Sequence, residues 1–285
     1  MEAPFCQIGK RIRFRYIDMI KYNPEGSALR TAQREMLEVL VSFAQICEKH
    51  DIEWWLCSGT LLGAARHKGF IPWDDDVDVT MRKLDYQKLK KVLLEQESAD
   101  YCFQCMDTDP DYVNVFGKFR KKHDAVASTD RRSQYFKYQG IGIDVFFLEK
   151  STRFAAHMAK FFYLNMQHPT QYIKNRTMRH LAIKIVQILN LGLLIPLCRL
   201  IGRLLNSKNE YRVSLGSGFY KSKFFLKDIY PLTKMEFEGI EFPVPGNTDA
   251  YLTNIYGDWR KLPTEEQIRK SMHYPVYIKE IFGEE

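Results

Sequence analysis

Apolar residues recur at helical spacing from Ser27 to His50. Leu29, Met36, Leu37, Leu40, Phe43, Ala44 and Cys47 fall on one face of a helix. The pattern changes at Asp51. The run WWLCS is short, aromatic and apolar and stops at Gly59, which predicts a buried strand meeting a tight turn. Leu61 to Ala65 reads as a short helix or turn. Val77 and Val79 alternate with Asp76 and Asp78, so a second strand is expected to enter the core there. Leu84 to Gln96 is helical in pattern. Further strands are expected at 101–106, 113–120 and 140–148, with the polar, basic stretch between the last two as a loop. From Phe154 to Leu205 the chain reads as helix, with breaks near Pro169 and Pro196. A hairpin over Lys234 to Val244 should turn at Glu238-Gly239, and Thr248 to Tyr256 should form a short helix. This order predicts an α+β catalytic core in residues 1–150 and a helical region over 151–218. A C-terminal hairpin-and-helix cap over 219–285 would complete the same domain.

Composition narrows the classes. With 285 residues, 45% of them hydrophobic, the chain can bury a sizeable core. An aromatic content of 14% excludes a disordered chain. The formal charge of +7 suits an anionic partner without choosing among nucleotide, phosphate and lipid headgroup. Of six cysteines only Cys102 and Cys105 are close, and no second pair completes a zinc site. Reduced thiols in a cytoplasmic protein are the expectation. The basic first twenty residues lack the apolar stretch and cleavage site of a secretory signal.

One segment bears on membranes. Residues 181–205 are apolar, but the most apolar part, Ile185 to Cys198, is about 14 residues long, short of the roughly 20 that span a bilayer. Two expectations remain: a pair of buried core helices broken at Pro196, or a helix in the membrane interface, for which the basic residues at both ends are suited.

The chemistry concentrates between Gly59 and Met81. Asp76 and Asp78 are two apart, so on a strand both project from one face. Burying two such carboxylates is costly unless a cation compensates, and hard oxygen ligands favour magnesium or manganese over zinc. A third acid, Asp144, sits within the apolar run GIGIDVFFL. Asp76, Asp78 and Asp144 are therefore the candidate catalytic residues and metal ligands, and Asp74 and Asp75 are assigned to shaping the loop. Gly59-Thr60 fits a phosphate-binding turn, where glycine lets the backbone approach. Arg66, His67 and Lys68 stand ready for phosphate or substrate, and Trp73 for packing or stacking.

The run from Gly59 to Asp78, Gly-Thr-Leu-Leu-Gly-Ala-x-Arg-His-x-Gly-x-Ile-Pro-Trp-Asp-Asp-Asp-x-Asp, resembles the signature of the LicD family. That family includes bacterial phosphocholine transferases and is related to the fukutin group of ribitol-phosphate transferases. Weaker matches follow in order: Gly142 to Phe146, Tyr230-Pro231-Leu232, Phe237-Glu238-Gly239, Pro243-Val244-Pro245, Tyr256 to Trp259, Pro263, Arg269 and His273. The resemblance implies a nucleotidyltransferase-like mixed sheet with flanking helices, in which Gly59-Thr60, Asp76, Asp78 and Asp144 match position by position. It also implies a CDP-linked donor, a glycan acceptor that could be lipid-linked, and no nucleic acid. His273 joins the substrate-binding candidates on this ground. The loop from Arg66 to Trp73 is expected to act as a donor lid, with Arg120, Lys121 or Lys122 assisting. A choline-bearing donor would favour an aromatic cage, for which Trp54, Trp55, Trp73, Tyr135 and Trp259 are candidates. The rival readings are a nucleotidyltransferase that adds NMP from NTP, and a non-catalytic membrane-associated scaffold.

Overall fold

The computed structural model describes residues 20–96, 98–125, 134–206, 208–217 and 221–283. The N-terminal reading, and residues 126–133 of the expected basic loop, lie outside them. Ser27 caps the first helix, α1 (Ala28–Lys49), by accepting from the Arg30 N–H at 3.1 Å. Its buried face carries Leu29, Met36, Leu40, Phe43 and Cys47, as the spacing predicts. Five strands form the spine of a mixed sheet in the order β1-β2-β5-β4-β3: β1 (Trp55–Leu56), β2 (Asp78–Arg82), β3 (Tyr101–Gln104), β4 (Gly117–Ala125) and β5 (Gly140–Lys150). Between them lie α2 (Ser58–His67) and α3 (Lys83–Glu95). β2 runs parallel to β5, and every other pairing in the sheet is antiparallel. This is an α+β fold.

β5 is the longest strand and organises its neighbours. β4 pairs with its first half, and the short β6 (Tyr211–Val213) pairs with its end. The expected strand at 113–120 instead begins at Gly117 and continues to Ala125. A two-stranded hairpin, β7 (Thr233–Phe237) and β8 (Ile240–Val244), turns through Glu238 and Gly239 at φ 53° and 79°. Both lie in the left-handed region that such a two-residue turn requires, which explains the glycine. Short helices at Leu226–Ile229, Thr248–Tyr256, Glu265–Ser271 and Pro275–Phe282 close the C-terminal region. One apolar core joins α1, the sheet, the hairpin and these helices, from Tyr22 to Tyr277.

The middle region departs from expectation. α4 (Arg153–Phe162) passes through a π turn and a 3-10 turn to Tyr172. Then α5 (Arg176–Leu189), a second π turn (Asn190–Leu194) and α6 (Ile195–Leu204) form one helical rod, long and apolar enough to cross a membrane by length and composition. Pro196 does not break it. The π turn precedes the proline, and the Ile195 N–H reaches back to the Asn190 carbonyl. Nor is the rod a pair of core helices, for only 22% of its most apolar stretch is buried. Its buried positions are Arg179, Ile183, Asn190, Ile195, Cys198 and Gly202. The five-residue step from Asn190 to Ile195 coincides with the π turn, which keeps that stripe in line.

Buried charge fastens the rod to the sheet. Glu149 on β5 is 6% exposed and accepts from Lys83 at 2.8 Å, Arg199 at 2.7 Å and the Leu215 N–H at 3.1 Å. Burial alone would raise its proton affinity, but Arg199 and Lys83 together hold it below the usual carboxylate range. Breaking one partner of a buried charge cluster costs about 3 kcal/mol, so Glu149→Gln should lower urea-unfolding stability by about that at neutral pH. Because the folded carboxyl titrates below its ordinary value of 4.5, its contribution is complete above that pH. It is lost as pH falls through the depressed value. The gap between wild type and Glu149→Gln should therefore close in acid; a gap that is constant from neutral pH into acid would contradict the assignment.

Candidate active site

The parallel register sets Asp78 on β2 opposite Asp144 on β5, and the antiparallel register sets Asp144 opposite Lys118 on β4. Opposed residues on neighbouring strands share a face, so the three charges form a row across the sheet. Asp76 precedes Asp78 by two residues and lines the same cavity, which measures about 600 Å³. Lys118 donates to Asp144 through a short contact. Gly142 makes room for Arg120, because a Cβ on Gly142 would come within 2.4 Å of the Arg120 Cβ. The buried Arg120 Nε has no hydrogen-bond partner, and Arg120 lines the cavity.

The acids bury negative charge that they cannot dissipate. Burial first, then repulsion by Asp76 and Asp144, pushes the Asp78 carboxyl well above its ordinary range. Asp76 keeps 31% of its side chain open to the cavity, yet its proton affinity is also raised, chiefly by burial. The Thr60 hydroxyl accepts from the Asp78 N–H at 2.8 Å and so fixes the start of the strand. Asp75 also lines the cavity but is engaged by the C-terminal region. It accepts from the backbone N–H groups of His273 and Tyr274, each at 2.8 Å, and lies 2.9 Å from His273 Nδ1. His273 Nδ1 is also 3.4 Å from Asp76. The Asp75 bond is the main reason that the His273 pKa rises to about 9.

The hard-oxygen pair Asp76 and Asp78, with raised proton affinities, fits a magnesium or manganese ion, which typically takes one or two protein carboxylates and completes its shell from phosphate and water. Among the described residues no group of three acids, histidines or cysteines stands in closed coordinating geometry. Asp144 is held instead by Lys118.

Several candidates lie behind the cavity rather than in its lining. Gly59 is packed against Asp74, whose carboxylate would meet a Cβ there at 2.7 Å. Burial lowers the His67 pKa to about 4, so its neutral ring accepts from Arg66 Nε at 2.9 Å. Arg66 reaches the Trp259 carbonyl at 3.1 Å. Lys68 is exposed, 3.8 Å from Glu236. Trp73 is buried against Tyr22, ring centroids 5.4 Å apart. The loop from Arg66 to Trp73 is clamped, not a lid. Glu238 at the hairpin tip accepts from Phe70 N–H at 3.0 Å and from Arg30 at 2.7 Å, and donates its own N–H to the Lys68 carbonyl at 2.9 Å. Gln33 of α1 donates to the Asp74 carbonyl at 2.9 Å.

The expected aromatic cage is also corrected. Trp54, Trp55 and Trp73 belong to the core, Tyr135 lies under Arg179 at 3.6 Å, and Trp259 bonds Asp249 at 3.0 Å. The aromatic wall of the cavity is instead Phe116, Phe136, Phe146, Tyr163, Tyr274 and Tyr277. Lys121 serves α1, through Glu35 and Glu38. Lys118 and this wall escaped the sequence reading. The alternation around Asp144 could have suggested Lys118 only with the β4 register in hand.

Acids on adjacent parallel strands, at one end of a mixed sheet flanked by helices, define a nucleotidyltransferase-type domain. The family model described as the LicD/FKTN/FKRP nucleotidyltransferase domain matches residues 51–188, from the turn after α1 into the helical rod. Lipopolysaccharide cholinephosphotransferase LicD of Haemophilus influenzae is 30% identical over 270 residues, covering 88% of this chain and 98% of that protein. Ribitol 5-phosphate transferase FKRP of Homo sapiens is 46% identical over 52 residues, 18% of this chain and 9% of that protein. The chain belongs to the LicD family.

Because His273 is held charged by Asp75, its ring should titrate near 9 by NMR in metal-free buffer. The stabilising contact is complete below the ordinary value of 6.5 and is lost as pH rises through about 9. Asp75→Asn should bring the midpoint down toward 6.5. A midpoint unmoved by that change would break the assignment.

Proposed function

We propose that this protein transfers a substituted phosphate group from a CDP-linked donor to a sugar hydroxyl of a cell-surface glycan, releasing CMP. Phosphocholine is the first assignment; phosphoethanolamine, aminoethylphosphonate and ribitol phosphate are the related groups. The observation that carries this reading is the charge row Asp78–Asp144–Lys118 beside Asp76, opening into a cavity walled by cations and aromatic rings. The similarity to a cholinephosphotransferase over 88% of the chain supports the class of reaction. The site is assigned to the cytoplasm, where CDP-linked donors are made, at the inner face of the membrane.

Asp76 and Asp78 would hold magnesium or manganese. When bound, that ion neutralises charge on the diphosphate and aligns attacking and leaving oxygens. Asp144, fixed by Lys118, faces the cavity as the acceptor of the sugar hydroxyl's proton; the Lys118 contact favours this over the role of third ligand. The sugar oxygen bonds to the distal phosphorus, and the phosphoanhydride bond to CMP breaks, CMP leaving with the electron pair. Arg120 and His273 line the cavity as positive groups suited to donor phosphates. Phe116, Phe146, Tyr163 and Tyr274 line the cavity and supply the aromatic surface that would suit a quaternary ammonium group.

Asp76→Asn should lower turnover about 10³-fold or more with the thermal melt retained, the scale of losing metal-borne charge stabilisation. Near-wild-type turnover would reject the metal assignment. A mass-spectrometric screen should find CMP released from one of CDP-choline, CDP-ethanolamine, CDP-ribitol or a cytidylylated aminophosphonate in the presence of magnesium and a glycan acceptor. Pyrophosphate from plain NTPs, with no CMP from any CDP donor, would replace this reading with nucleotidyl transfer.

A further inference from the structure

The positive charge of this chain is not spread evenly. Between Arg153 and Asn209 there are nine Lys and Arg and no acid, while the rest of the chain holds 33 Lys and Arg against all 35 acids. The whole excess of +7 therefore comes from the segment that forms α4 and the helical rod. The same segment carries most of the exposed large apolar side chains among the described residues. Leu181, Ile185, Ile188, Leu193, Leu200 and Leu204 of the rod stand open to solvent, and Phe154 and Phe161 of α4 join them. Exposed Lys184, Arg176 and Arg203 lie among or beside them. Contiguous exposed apolar surface of this extent marks a docking face.

The rod cannot leave the domain cheaply. Arg179 donates to the buried Asp111 at 2.6 Å near one end, and Arg199 to Glu149 at 2.7 Å near the other. Gly202 abuts Ser151 and Ala155 so closely that a Cβ there would lie 2.5 Å from the Ser151 hydroxyl. A rod of 29 residues measures about 43 Å at ~1.5 Å per residue, and it is fixed along that length. Crossing a bilayer would strip these buried ion pairs, whereas lying flat keeps them and buries the outer stripe.

From this arrangement we infer that the α4–rod face docks the protein on an anionic lipid bilayer, with the Arg176–Leu204 helix lying in the membrane plane. Apolar side chains enter the acyl boundary, and the basic residues meet the anionic headgroups. A second copy of this chain is disfavoured as the occupant, because pairing would face two acid-free, cationic surfaces. The face is also coupled to the cavity: Leu164, exposed on the π turn after α4, lines it together with Lys160 and Tyr163.

Vesicle flotation of the purified full chain tests this without donor or acceptor, so its outcome is independent of the transfer reading. The protein should float with phosphatidylcholine vesicles that contain phosphatidylglycerol, more weakly with phosphatidylcholine alone, and less as salt rises. The double variant Ile188→Glu and Leu200→Glu should bind about ten-fold or more weakly with an unchanged melt, since both side chains face solvent. Lys184→Gln with Arg203→Gln should reduce binding to the anionic vesicles alone. Ile188→Trp should be quenched by lipids brominated near the headgroup, not by those brominated at the chain ends. Failure of the wild type to float, or floating by the double variant equal to wild type, overturns the proposal. So does a dimer in sedimentation velocity that the double variant abolishes while no vesicle binds. Quenching deepest at the bilayer centre overturns the in-plane arrangement.

Discussion

The structure turns on like charges forced together. Parallel pairing of β2 with β5 places Asp78 beside Asp144, and the chain brings Asp76 to the same cavity two residues earlier. Neighbouring strands are about 4.8 Å apart, close enough that buried carboxylates repel strongly. Such an arrangement persists only when the surroundings compensate for it. Lys118 answers Asp144 from the next strand, and His273 reaches Asp75 and Asp76 from the C-terminal region. The raised proton affinities of Asp76 and Asp78 show that compensation by protein groups is incomplete.

That requirement explains features remote from the cavity. The loop before the acids is tied on three sides, by Gln33 of α1, by Glu238 of the hairpin and by the C-terminal backbone on Asp75. Each tie crosses a long stretch of sequence. The C-terminal hairpin and helices therefore do more than cover the core: they hold the acidic loop against its own repulsion. Thr60 performs the local equivalent by accepting from the Asp78 N–H.

The helical rod follows a different logic. It adds little to the main core and has only a small apolar cluster of its own, including Ala156, Ala159, Ile195 and Cys198. Its ion pairs to Asp111 and Glu149 are internal, while its apolar stripe points outward. A π turn before Pro196 lets one helix continue where the proline would otherwise interrupt the bonding. The acid-poor composition and the outward stripe coincide in the same residues, and together they orient the cavity relative to any surface that the stripe meets.

The sequence by itself determined most of the elements. α1, α3, β5, the Glu238-Gly239 hairpin and the helix from Thr248 follow from periodicity, caps and turn chemistry, which are local. It also singled out Asp76, Asp78 and Asp144, because acids within apolar runs are conspicuous. Tertiary structure decided the rest. Strand register, a long-range property, put Lys118 next to Asp144, and the packing of loops and helices around the sheet brought most of the wall aromatics to the cavity. Packing took Trp73, His67 and Lys68 away from the cavity, since the chemistry of a side chain does not say which way its backbone faces. Burial of the rod was equally beyond periodicity. An amphipathic pattern fixes where the two faces lie, but only the docked domain shows that the apolar face of α5 and α6 points outward.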